Sequence, residues 1–198
     1  MEKNSQALTT ALLVMDVQPT ILPMLGDNTV AYVNTIKKAI AAARRNNMLV
    51  LAVVVGFRKG FPEITAQTSN ASFAALKAGA MPGLENPVPD PSLELTADDI
   101  VITKRRVSAF AGSDLEVILR GHKIDHIVLT GIATSGVVLS TLRQAADMDY
   151  RISVLSDACA DRDAEVHNVL VNKVFPRQAE VLTTDQWIAG LGQSPIPK

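Results

Sequence analysis

Short apolar runs rich in β-branched residues alternate along this chain with longer stretches of helix formers, and that alternation leaves few folds open. Six runs read as strands: Ala11–Met15, Leu49–Val55, Ile100–Ile102, His126–Thr130, Ile152–Leu155 and Ala179–Leu182. Between them Asn28–Asn46, Ser113–Arg120, Thr134–Met148 and Ala164–Val174 carry apolar residues at three- and four-residue spacing, the period of a helix with one buried face. Strands that are nearly all apolar need cover on both faces, so they are expected to be central in a parallel α/β sheet with helices packed above and below.

The chain has 198 residues, the size of one compact unit, expected as a single domain over 1–198 with its core at about 8–185 and a loose tail at 191–198. With 47% hydrophobic and 20% charged residues it is ordinary globular material, not a disordered or coiled-coil chain. A formal net charge of −1 supplies no field to attract phosphate backbones or acidic lipid, so nucleic acid is not an expected partner. The first apolar run, Ala11–Met15, stops at Asp16, far too short to cross a membrane or form a signal core. Cys159 is the single cysteine and can make no internal disulfide, which fits a reducing, cytoplasmic setting. Met81 to Pro91 contains Pro82, Pro87, Pro89 and Pro91 and reads as a surface connection.

Parallel α/β sheets bind ligands at the carboxyl ends of their strands, which directs attention to the residue after each run. Asp16, in Asp16-Val17-Gln18-Pro19, is set against a buried strand end; it is either a general acid or base with a raised pKa, or a cap for the next turn. Thr103-Lys104-Arg105-Arg106 follows the third run. Lys104 shares a sheet face with Ile102, so it either points into the cleft, where a carboxylate such as Asp16 could hold it, or belongs to a solvated charge run. The fourth run leads into Gly131-Ile132-Ala133-Thr134-Ser135-Gly136-Val137, a small-residue turn opening a helix. Its amides suit an oxyanion or a carboxylate, and an ordinary helix cap reads the same way. Arg58, just past the second run, is a fork of donors for a substrate carboxylate or an exposed loop arginine.

Three blocks in order, LLVMDVQ, ITKRRVSAF and VLTGIATSGVVLSTLRQAADMDYRISVLSDACAD, resemble the isochorismatase-like hydrolases, or cysteine hydrolase superfamily, over roughly residues 8 to 185. The resemblance implies a three-layer α/β/α, Rossmann-like fold with a six-stranded parallel sheet. It also implies a small-molecule substrate and a homo-oligomer. In the amidase members an Asp, a Lys and a Cys act as base, charge stabiliser and nucleophile; Asp16 and Lys104 match the first two, but the cysteine position is Val137. A valine has no lone pair with which to attack a carbonyl. Cys159 lies after a different strand and reads as a small packing residue. Isochorismatases also lack the cysteine, because cleaving a vinyl ether needs no acyl-enzyme. The expected activity is therefore hydrolysis without a covalent cysteine intermediate, with Asp16 as proton donor or base, Lys104 as its partner and the Ala133–Val137 amides stabilising an anion. Arg58, Phe110, Ala133, Ser135 and Val137 would contact the substrate, Phe110 as a pocket wall. The alternative is a catalytically silent member that binds a small ligand or serves in assembly; a cysteine amidase with a relocated nucleophile ranks last. His122, His126 and His167 have no metal-ligand spacing, so neither metal nor cofactor is expected. The family also carries a cis peptide before the residue matching Ala133, and the same is expected here.

Overall fold

The computed structural model describes residues 9–79 and 83–191. Its strands are β1 (Thr10–Met15), β2 (Leu49–Val55), β3 (Ile100–Lys104), β4 (His126–Ile132), β5 (Arg151–Ala160) and β6 (Glu180–Leu182), all parallel in the order β3-β2-β1-β4-β5-β6. The helices are α1 (Thr29–Arg45), α2 (Ala71–Lys77), α3 (Leu115–Gly121), α4 (Leu139–Asp147), α5 (Ala164–Val169) and α6 (Thr184–Gly190). Strand order reverses between β1 and β4, and in sheets of this kind the crevice outside the carboxyl ends at that point takes the ligand.

Strand β1 shows why the sheet is doubly covered. Its side chains alternate, so Leu12 and Val14 pack with α1 and Trp187 of α6, while Ala11, Leu13 and Met15 face Leu115 and Leu119 of α3 and Leu142 and Ala145 of α4. That is the expected three-layer architecture. Not all six strands are central: β3 and β6 are the edges, and Val101 on β3 is 49% exposed. The run Ile100–Ile102 is apolar throughout, yet of its three residues only Ile102 is buried. Of the expected surface connection, residues 81 and 82 lie outside the described residues, as does all of the expected tail except Leu191. Among the described residues no helix is long and apolar enough to cross a membrane.

Two glycines are needed where strands and loops meet closely. A Cβ on Gly131, at φ 147°, would stand 2.4 Å from the Met15 carbonyl oxygen, and one on Gly56 would stand 2.1 Å from Pro87 Cγ. Gly131 thus lets the end of β4 lie directly against the end of β1. Gly56 lets the segment after β2 fold under Pro87, where Phe57 donates its N–H to the Leu84 carbonyl.

Candidate active site

The chain leaves β1 sharply at Asp16, whose φ of 58° is in the left-handed region that Asp tolerates better than branched residues do. Its amide still bonds the Val53 carbonyl at 2.8 Å, so the turn is pinned to β2. Two residues on, the buried side chain of Gln18 continues the sheet in place of backbone. It accepts the Val55 N–H at 2.8 Å and donates to the Val55 carbonyl at 3.2 Å. Gln18 belongs to the segment singled out in the sequence, but only the register shows that it holds β2 beside Asp16.

Lys104 is the last residue of β3 and sits beside Val55 of β2. From there its Nζ reaches to 3.0 Å from Asp16 Oδ2 and donates to the Arg106 carbonyl at 2.9 Å. The two residues are 6% and 2% exposed, so the inward reading of Lys104 holds and the solvated charge run does not. Asp16 Oδ1 is buried and has no hydrogen-bond partner among the described residues. Burial raises the Asp16 pKa above the ordinary carboxylate value; the charge and hydrogen bond of Lys104, with the nearby Val55 N–H whose own bond goes to Gln18, offset that effect only in part. One carboxylate oxygen is tied to a cation while the other keeps its lone pairs, an arrangement suited to moving a proton.

Beyond Gly131 the Ile132–Ala133 peptide is cis, as expected. The helix then opens with a wide turn, Thr134–Val138, in which Gly136 and Val138 both donate to the Ala133 carbonyl, at 3.0 and 3.3 Å. Widened turns of this type recur at functional sites. The Ala133 N–H has no partner among the described residues, whereas Ser135 gives its N–H to Asp161 Oδ2 at 2.8 Å. The expected anion element is therefore narrower than Ala133–Val137, because the amides of Ser135 and Gly136 are already used inside the protein. Val137 is 2% exposed and packs in the same core as Met15 and Leu129.

Two expected contacts fall elsewhere. Phe110 is core: its ring centroid lies 6.0 Å from that of Tyr150, the residue just before β5, because the loop after β3 runs back along α4 through the Ala109 amide on Thr141 Oγ1. Arg58 is 70% exposed at its side chain and pairs with Glu63 at 2.7 Å, beside a hollow of about 460 Å³ that Phe57, Glu85 and Arg105 also line. Neither Asp16 nor Lys104 borders that hollow. Glu63 also accepts at its carbonyl from Arg106 and lies 3.8 Å from Arg105 Nε, so it ties the segment after β2 to the end of β3. Burial works to raise its pKa, but hydrogen bonds from its own amide and from Arg58, with the Arg58 charge, hold the carboxylate below its usual range. Nothing in its sequence position marks Glu63 for this role.

Cys159 is buried, its Sγ 3.9 Å from the Leu129 carbonyl, and burial pushes its pKa far above the thiol range. A thiol held neutral in this way is a poor nucleophile. His126 lies at the opposite end of the strands, with Nδ1 3.2 Å from Thr10 Oγ1 and Nε2 3.0 Å from Ser153 Oγ. Among the described residues no group of three or more His, Cys, Asp or Glu side chains is placed to hold a metal ion.

This strand order, with the Asp–Lys pair at its switch point and the turn after β4, is accompanied by similarity over nearly the whole chain. The profile of the Isochorismatase domain matches residues 10–186. The chain belongs to the isochorismatase family. It is 38% identical over 187 residues to the isochorismatase family protein YecD of Escherichia coli O157:H7, spanning 93% of this chain and 97% of the relative. It is 32% identical over 170 residues to the ureidoacrylate amidohydrolase RutB of Serratia proteamaculans, spanning 75% and 68%. Among solved structures, an isochorismatase family protein from Burkholderia thailandensis superposes with a TM-score of 0.81 at 28% identity, covering 93% of this chain and 96% of that one. The N-carbamoylsarcosine amidase of Thermoplasma acidophilum superposes at 0.69 and 25% identity, covering 90% and 98%. Hydrolase chemistry is thus the family setting in which the pair and the turn are to be understood.

Proposed function

We propose that this protein hydrolyses a small molecule at the Asp16–Lys104 pair without forming a covalent cysteine intermediate. One observation carries the proposal: a buried carboxylate with one oxygen on Lys104 Nζ and the other unpartnered, its basicity raised by burial. Such a carboxylate takes a proton from water as the water oxygen bonds to the electrophilic carbon. It then returns that proton to the leaving group, so no group on the enzyme needs to be acylated. Lys104 keeps Asp16 in place and balances its charge through the cycle. The Ala133 N–H, without a partner among the described residues, is the donor this reading assigns to the charge that develops on a substrate oxygen.

RutB and the N-carbamoylsarcosine amidase, by their names, act on amide bonds, and a small amide or carbamoyl compound is one substrate class to test here. With Val137 at the cysteine position, water must attack directly. A small vinyl ether, whose cleavage needs protonation at carbon and addition of water, is the other class. The test is turnover of a panel of both classes followed by product mass, comparing the wild type with Asp16→Asn and Lys104→Met. Product from the wild type, absent from both variants with folding intact, supports the proposal; equal turnover by Asp16→Asn ends it.

One observation favours a catalytically silent binding or assembly protein instead: Asp16 and Lys104 are almost sealed. Saturable binding of a panel member with no product from it would select that function.

A further inference from the structure

The turn after β4 is held from behind by two side chains that the catalytic proposal does not use. Thr134, its first helical residue, is fully buried, and a buried hydroxyl needs a partner. It has one in His167 of α5, whose Nδ1 lies 2.8 Å from Thr134 Oγ1. The next residue, Ser135, is fixed through its amide by Asp161. His167 and Asp161 both line a cavity of about 340 Å³ that Tyr32 of α1 also lines. The imidazole is therefore half-buried against the turn and open to protons from the cavity, while Thr134 is not.

We propose that His167 is a positioning residue for the Ala133–Val137 turn, holding the Thr134 hydroxyl through Nδ1 and resetting the turn when the imidazole gains a proton. Its importance for catalysis rests on taking the turn as the anion-stabilising part of the active site. A neutral ring with a bare Nδ1 accepts the Thr134 hydroxyl hydrogen, whereas a protonated ring can only donate. Protonation thus reverses the bond, and the sealed hydroxyl must send its hydrogen to another acceptor beside the turn. The titratable groups that line the cavity with the imidazole are Asp161, Asp157 and Cys159 from β5 and its end and Tyr32 of α1, and Asp163 and Glu165 stand at the start of its own helix. Burial lowers the pKa of His167 from its ordinary value, with the Asp161 charge opposing, so burial favours the neutral ring that can accept from Thr134.

The test needs no substrate, so it stands or fails separately from the hydrolase assignment. In ¹H–¹⁵N spectra of the wild type, recorded while the pH is lowered from about 8 to about 5, the Ser135–Val137 amides should shift with the same midpoint as the His167 ring. In His167→Asn, whose side chain can still reach the hydroxyl, those amides should stay close to their neutral-pH positions and lose the titration. As a second measurement, alkylation of Val137→Cys by iodoacetamide, in a Cys159→Ser background, should show an inflection at the His167 midpoint that His167→Asn removes. Turn amides that do not move while the wild-type ring titrates would overturn the proposal even if His167→Asn fails to fold. So would an unchanged titration of the amides in His167→Asn.

Discussion

Lys104 Nζ and Asp16 Oδ2 meet at 3.0 Å across the intervening strand β2, joining the ends of β3 and β1 inside the protein. Removing one member leaves the other charge buried and unpaired, which costs about 3–5 kcal/mol in comparable pairs. In Lys104→Met the remaining Asp16 can become neutral by keeping a proton, and its folded pKa lies above the unfolded value of 3.8. A group raised in this way favours the folded state most below its unfolded pKa, and that contribution is lost as pH rises through the folded pKa. The cost of Lys104→Met relative to wild type should therefore grow from acid to neutral pH in urea melts. Asp16→Leu combined with Lys104→Met should recover most of it, and a single variant with wild-type midpoints at every pH would show that the pair is not buried.

His126 makes the opposite prediction. Burial, helped by the Arg151 charge, lowers its pKa from 6.5 to about 4, so the ring is neutral in the folded protein. The unfolded chain binds a proton there first, and stability falls as pH drops from 6.5 towards 4. His126→Asn should flatten that part of the stability profile. An unchanged slope between those two pH values would mean that other groups carry it.

Gly131→Ala should be severely destabilising, because the new Cβ would lie 2.4 Å from the Met15 carbonyl oxygen, where backbone on both sides must move. Circular-dichroism melts check this directly. A midpoint within a few degrees of wild type would show that the contact between β1 and β4 can relax.

By the resemblance Val137 stands at the family's cysteine position; at 2% exposure it is no more open than Cys159 at 5%, so what sets it apart is its place on the turn with the Ala133 N–H, whereas burial holds Cys159 as a neutral thiol. Val137→Cys should therefore react with iodoacetamide faster than Cys159 does in the wild type, by at least about tenfold if its pKa falls by one to two units. Rates read by mass spectrometry decide it. Faster labelling at Cys159 would mean that the turn does not activate a thiol.

The layers and the positions of Asp16 and Lys104 were legible because burial on both faces leaves unbroken apolar runs, and the residue ending such a run must lie at the carboxyl end of the sheet, as Asp16 does. Lys104 was legible from its two-residue offset from Ile102, although its polarity hid that β3 extends to it. Strand β5 was truncated in the sequence for the same reason: Ser156 and Asp157 break the apolar run where its pairing with β4 shifts, before Gly131 meets Cys159. Helices α2 and α6 were missed because each is seven residues long and is announced mainly by its cap, Asn70 and Thr183. Phe110 could be read as pocket wall or as plain core, and its place beside Tyr150 was not legible because adjacency to a strand end does not show which way a loop turns back. The His167–Thr134 contact joins residues 33 apart and left no local signal.

Hydrolysis at Asp16 and Lys104, as proposed, passes through no covalent enzyme intermediate, and rapid-quench intact-protein mass spectrometry during turnover of whichever panel compound the wild type converts reads this directly. The chain should keep its unmodified mass at every time point while product accumulates, and Cys159→Ser should leave the rate unchanged. A transient adduct with the mass of the substrate's acyl fragment, mapped to Cys159 or to any other side chain, would contradict it.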